Sequence, residues 1–199
     1  MTTLILNGSP SGQKGNCHVL TKKLVARMKL SPDWHQKDSI KIIHLSKIKW
    51  TATEKKNIYA QIKLANGFIF LTGTYWDSWG SPLQTFLENV TPLEGGPAFL
   101  GKPAAIFVLN HSVGGKGVLS RLQGVLSTFG CLIPPMSGLV YSWVSEQVIS
   151  KNKNSQAQKD LWSLDDIDCI LKNFRKALSL KVTWASWGVD EKDYRKIWL

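Results

Sequence analysis

The sequence predicts an α/β fold built on a parallel β-sheet with crossover helices. Three observations predict it. Apolar runs of three to six residues alternate with longer stretches of helical period, five such runs occur, and three of them lead into loops rich in glycine, serine and asparagine.

The five strands are read at Leu4 to Leu6, Ile40 to Leu45, Phe68 to Leu71, Ala104 to Leu109 and, with the weakest pattern, Leu139 to Tyr141. Between the first two, Leu20, Leu24 and Met28 recur at i, i+4 and i+8. That helix must end near Leu30, because Pro32 disfavours helical geometry at Ser31. Thr51 and Glu54 form a capping box that opens a second helix with an Ile58, Ile62, Ala65 stripe. Ser81-Pro82-Leu83-Gln84 supplies a capping hydroxyl, a proline at the first helical position and a Gln at the third, so a third helix is expected to start on Ser81. Gly117 to Phe129 gives the fourth helix, with Leu119, Leu122, Val125, Leu126 and Phe129 on one side. Ser163 caps the last, whose stripe is Ile167, Ile170, Leu171, Phe174 and Leu178. The polar stretch from Lys151 to Lys159 reads as an exposed connection, and too little chain follows it for an independent core, so residues 1–199 are expected to form one domain. Trp184, Trp187 and Trp198 near the C-terminus carry aromatic area that is normally buried, either by packing back on the domain or against a partner subunit.

Composition narrows the function. The three cysteines, Cys17, Cys131 and Cys169, are widely spaced and form no CxxC pair or Cys/His cluster, which excludes a disulfide scaffold and a structural zinc or iron-sulfur site. No basic leader precedes the first strand and no apolar stretch approaches a membrane span, so a cytoplasmic protein with no membrane partner is expected. Lys and Arg number 25 against 14 for Asp and Glu, a net charge of +11. Such a balance suits nucleic acid, an anionic surface or a phosphorylated ligand, and does not choose among them.

In an open parallel sheet, ligands lie beyond the carboxyl ends of the strands where the strand order reverses. The first loop there, Asn7 to Cys17, brings glycines that let backbone approach an anion, hydroxyls at Ser9 and Ser11, and a helix N-terminus with unpaired N–H groups. It matches neither GxGxxG nor GxxxxGK[ST], which argues against an ATPase or GTPase. The second, Thr72 to Gly80, places Tyr75, Trp76 and Trp79 where they can cover a flat aromatic ligand while Thr74 and backbone groups bond its edge. Packing of Trp76 and Trp79 on another subunit is the competing reading. The third, Asn110 to Gly117, is again glycine-rich and again opens a helix; His111 in it reads as a hydrogen-bonding residue rather than a catalyst.

Gly8-Ser9-Pro10 followed by Gly15-Asn16, the Thr74-Tyr75-Trp76 loop leading to Leu83 and Phe86-Leu87, and the Ser112/Gly114-Gly115 turn together resemble the NADPH-dependent FMN reductase family of flavodoxin-like proteins, over roughly residues 3–141. The resemblance implies a flavodoxin-like three-layer sandwich: a five-stranded parallel sheet in order 2-1-3-4-5 with helices on both faces, in a homodimer or homotetramer. It implies FMN as cofactor and NADPH or NADH as co-substrate, with hydride passing through FMN to a flavin, quinone or similar small acceptor. By position, Ser9, Ser11, Gly15, Asn16 and Cys17 hold the FMN phosphate. Gly73, Thr74, Tyr75, Trp76, Asp77 and Ser78 meet the isoalloxazine, and Asn110, His111, Ser112, Gly114 and Gly115 its outer edge. The flavin carries the chemistry in such an enzyme, so no catalytic acid, base, nucleophile or metal is expected.

Several residues depart from the family pattern. Cys17 stands where Ser or Thr is common, Ser11 where a basic residue is frequent (a charge Lys14 could replace), Gly73 where proline is usual, and Asp77 where a small residue is common. A carboxylate of Asp77 about 5 Å from the flavin would oppose a reduced anionic flavin by roughly 3 kcal/mol at an effective dielectric near 20, lowering the one-electron potential by about 100 mV; pointing Asp77 to solvent removes the effect. Lys14 and Lys116 are the lysines nearest the expected phosphates. Two other functions compete. An electron carrier of the flavodoxin type is generally acidic, and +11 points the other way; a nucleic-acid-binding protein would leave the three glycine-rich loops unexplained.

Overall fold

A computed structural model describes residues 1–151 and 163–187. The five apolar runs are strands β1 (Thr2–Asn7), β2 (Ser39–His44), β3 (Gly67–Gly73), β4 (Ala104–Asn110) and β5 (Gly138–Ser142), all parallel, in order β2-β1-β3-β4-β5. β3 and most of β4 are buried on both faces, which is why they read as unbroken apolar runs rather than alternating ones.

Helices cover both faces. Leu4, Leu6, Phe68, Phe70, Ile106 and Val108 point to one side, against α2 (Ala52–Leu64), α3 (Ser81–Val90) and α4 (Gly115–Thr128). Ile5, Ile69, Leu71, Ala105 and Phe107 point to the other, against α1 (Asn16–Leu30) and α6 (Ile167–Leu178). α1 ends where expected, with Ser31 extended before Pro32. Thr51 caps α2 by accepting from the Glu54 N–H at 3.2 Å. Before α6, Ser163 and Asp166 form a reciprocal capping box around a short 3₁₀ turn.

Two expectations are corrected. The cap of α3 is Gly80, not Ser81, which is already the first helical residue; Gln84 instead accepts from the Trp79 indole N–H at 2.8 Å. A further helix, α5 (Trp143–Lys151), follows β5 directly. Most of the polar connection, residues 152–159, lies outside the described residues, as does Trp198. Trp184 packs its indole over Gly101, and the Trp187 indole N–H donates to Glu94 at 3.3 Å. Both lean back on the α3–β4 connection with about half their surface still open (47% and 62% exposed). No helix of the described residues is long and apolar enough to cross a membrane.

Candidate functional site

The chain leaves β1 toward β2 on one side and returns to β3 on the other, so the strand order reverses between β1 and β3. A cleft of about 800 Å³ opens there, at the carboxyl ends of the strands.

The loop after β1 forms one wall. Ser9 is buried; its hydroxyl accepts from the Ser11 N–H at 3.3 Å and lies 3.4 Å from the Tyr75 hydroxyl. A 3₁₀ turn over Gly12–Lys14 brings the chain to Gly15, the N-cap of α1. A Cβ on Gly15 would stand 2.7 Å from Ser11 Cβ and 3.4 Å from Ser9 Oγ, so only glycine lets the chain pass this close to the two serines. No side chain caps α1, and the N–H groups of Asn16 and Cys17 meet no acceptor among the described residues. A helix start with free donors that opens on a cleft is suited to an anion. Burial pushes the Cys17 thiol up to about 12, opposed in part by its hydrogen bond with Ser9, so Cys17 presents a neutral S–H there.

The loop after β3 forms the second wall. Tyr75 and Ser78 pair through both backbone bonds, at 2.8 and 2.9 Å, so Trp76 and Asp77 occupy a two-residue turn with φ of 49° and 56°. The Tyr75 ring lies over Gly73, where a Cβ would come within 2.9 Å of it, and this explains how glycine replaces the usual proline. The Thr74 hydroxyl is buried without a partner. Trp76 is fully exposed, and the Asp77 carboxylate turns toward Gly114 at the start of α4, where the helix dipole favours it. Arg121 of α4 donates to the Asp77 carbonyl and clips the turn to that helix.

The third loop is tied down by the junction of β5 and α5: the Val144 N–H donates to His111 O at 2.8 Å, and the Ser142 hydroxyl donates to Ser112 O at 3.0 Å. Gly114 takes φ 87° to turn the chain into α4. The Asn110 carboxamide oxygen is buried without a partner. Thr74 Oγ1 and Asn110 Oδ1 thus offer two orphaned polar atoms on facing loops, the kind of groups that hold the edge of a polar heterocycle.

Of the residues expected at the site, Ser9, Ser11, Gly15, Asn16, Cys17, Gly73, Thr74, Tyr75, Asn110 and His111 line the cleft, and so does Lys14. Trp76, Asp77, Ser78, Ser112, Gly114 and Gly115 do not line it; Trp76 points to solvent and the Asp77 carboxylate to Gly114. Val19, Lys23, Tyr141, Trp143 and Leu164 line it unanticipated. Val19 and Lys23 follow Gly15 at helical spacing, so the periodicity of α1 carries that signal. Tyr141 sits at the carboxyl end of the fifth strand and Trp143 just beyond it, an end the sequence reading did not weigh.

The model of one family, NADPH-dependent FMN reductase, matches residues 1–142. No curated protein matches. Among solved structures, the apo form of the NADH:FMN oxidoreductase EMOB is similar with a TM-score of 0.68 at 18% identity, covering 90% of this chain and 91% of that one. RosB with a bound 8-demethyl-8-formylriboflavin-5'-phosphate intermediate gives 0.67 at 13% identity, covering 89% and 79%. The NAD(P)H:(acceptor) oxidoreductase FerB from Paracoccus denitrificans gives 0.58 at 17%, covering 86% and 98%. At these identities the structures establish a shared fold. The family match spans β1 to β5 and contains all three loops that build the cleft, and by it this chain belongs to the NADPH-dependent FMN reductases, oxidoreductases that use NAD(P)H and FMN.

Proposed function

We propose that FMN binds in this cleft, with its phosphate at Ser9, Ser11, Gly15, Asn16 and Cys17 and its ring between Gly73, Thr74 and Tyr75 on one side and Asn110 and His111 on the other. The observation that carries the reading is the uncapped start of α1, whose Asn16 and Cys17 N–H groups open on the cleft beside the Ser9 and Ser11 side chains at a point where Gly15 leaves no room for a Cβ. Bound FMN supplies the hydride and electron chemistry, accepting from NAD(P)H and passing on to a second acceptor.

The chain's own residues bind and orient. Ser9 and Ser11 hydroxyls and the N–H groups of Asn16 and Cys17 supply neutral donors to phosphate, and Lys14 at the rim supplies charge. Thr74 Oγ1 and Asn110 Oδ1 meet the polar edge of the ring. Tyr141, Trp143, Val19 and Leu164 extend the cleft as an apolar wall against which a planar reactant stacks, which favours a flavin, a quinone or a similar small aromatic acceptor. Exposed Val113 and Trp143 near the cleft favour a homodimer or homotetramer, with a second copy covering the mouth. Residues 1–199 act as one domain in this reading, and the protein works in the cytoplasm.

The test is a visible spectrum and an FMN titration of the purified full chain, followed by NAD(P)H oxidation with flavin and quinone acceptors. Flavin absorption bleached by NAD(P)H is the expected result. A colourless protein that neither quenches FMN fluorescence nor oxidises NAD(P)H would sink the reading.

A further inference from the structure

Asn7 closes β1 and is wholly buried beneath the loop it begins. Its carboxamide oxygen accepts from the Ser9 N–H at 3.0 Å, and its nitrogen donates to Gly12 O at 3.0 Å and lies 3.0 Å from His44 Nδ1. The first two bonds fix which end of the amide is oxygen. Flipping it would set N–H against N–H at Ser9 and oxygen against oxygen at Gly12. One amide hydrogen therefore always faces His44, and it needs a lone pair on Nδ1. His44 in this bond is neutral, with its proton on Nε2.

His44 reaches Asn7 because the two lie opposite each other in the β1–β2 ladder. The segment after β2 braces the same loop twice more: Ser46 Oγ stands 2.6 Å from where a Cβ on Gly12 would sit, and Lys47 Nζ donates to Gln13 Oε1 at 2.6 Å. The groups facing His44 are His18 from α1, with ring centroids 5.2 Å apart, and Lys47 from its own turn; Asn7 of β1 is neutral. Lys14, the cation of the braced loop, lines the cleft. Burial, then the electrostatic influence of His18 and Lys47, holds the His44 pKa below its ordinary value.

We propose that His44 is a positioning residue for the anion loop: its unprotonated Nδ1 holds Asn7, and through Asn7 the backbone of Ser9 and Gly12, in the shape that receives phosphate, so binding of a phosphorylated flavin is lost when Nδ1 takes a proton in mildly acidic solution. The proposal rests on the FMN site above. Electrostatics alone predicts the opposite sign, since a protonated imidazole near the loop would attract phosphate. Because the folded pKa is depressed, the bond to Asn7 is intact above the ordinary histidine value near 6.5 and is lost as pH falls through the lower folded value.

The experiment measures FMN and riboflavin affinities of the full chain by fluorescence quenching between about pH 8 and pH 5, for the native protein, His44→Gln and His44→Leu. Gln offers an acceptor that does not titrate, Leu offers none, and the phosphate's own second ionisation is common to all three. The native preference for FMN over riboflavin should fall about tenfold more than that of His44→Gln as the solution is acidified, the equivalent of one hydrogen bond. His44→Leu should be weak throughout. Equal pH profiles for native protein and His44→Gln, or tighter native binding in acid, would overturn the proposal. The Asn7 side-chain amide signal in NMR should move with the titration of His44 even without flavin, and a static signal would also overturn it. If that signal follows His44 while FMN fails to bind at neutral pH, the FMN reading is the one that fails.

Discussion

The loop after β1 and the loop after β3 face each other across one cleft and are built on opposite principles. The first is fixed from below, by three hydrogen bonds to the buried Asn7 carboxamide and by the segment after β2. The second is a two-residue turn in which non-glycine residues take positive φ, one of them the fully exposed Trp76, clipped to α4 by Arg121. A phosphate has a fixed shape and charge, so its donors gain from being locked in advance. The second wall is instead held through its own turn and a neighbouring helix, by the Tyr75–Ser78 backbone pair and the Arg121 clip to α4.

That contrast can be broken at several points. Asn7→Ala should have the largest effect, because it leaves the buried Ser9 N–H and Gly12 O without partners; about 3 kcal/mol of stability should be lost in urea unfolding. Gly15→Val, whose side chain would crowd Ser11 Cβ, should lower the melting temperature and cut FMN affinity at least about 100-fold, roughly 2.7 kcal/mol. Riboflavin, which lacks the phosphate, should bind the variant as it binds the native chain. Arg121→Gln should act on the other wall: FMN and riboflavin affinities should fall together, by about tenfold, as expected for one charge-assisted hydrogen bond. A loss confined to FMN would show that the two loops are not independent. The smallest effect is expected at Trp76→Asn, where a residue that tolerates the left-handed region replaces an exposed Trp; stability should rise by about 0.5–1 kcal/mol by thermal melting, with FMN affinity unchanged.

The amino end of the sheet offers a second contrast. There Lys102 donates to the carbonyls of Ile62 and Lys63 at the end of α2, and burial lowers its pKa to about 8, while the neighbouring buried Cys131 thiol is pushed up to about 12. These groups close a helix end and fill a core. Buried hydroxyls without partners occur at this end too, at Thr3 and Ser137, but at the carboxyl end Thr74 and Asn110 carry their unpaired atoms on the walls of the cleft.

Much of this was legible in the sequence. β1, β3 and β4 read as unbroken apolar runs because both faces of the sheet are covered there, whereas the edge strands β2 and β5 are only partly covered and carry weaker patterns; the end of α1 and the start of α2 followed from Pro32 and Thr51. α5 was missed because Val144 and Val148 make too short a stripe beside a polar stretch, and with it went Trp143 as a wall of the cleft. Trp76 and Asp77 looked like ring contacts; the backbone turn sends one to solvent and the other to α4.

By itself, then, the sequence determined the sheet and the three loops at its carboxyl end, because apolar period, proline, glycine and capping residues act over a few positions along the chain. The tertiary structure decided which side chains look into the cleft and what holds the loops. Asn7 and His44 are 37 residues apart and meet only because two parallel strands pair in one register. Register is set by the packing of whole sheet faces, and no local stretch of sequence encodes it.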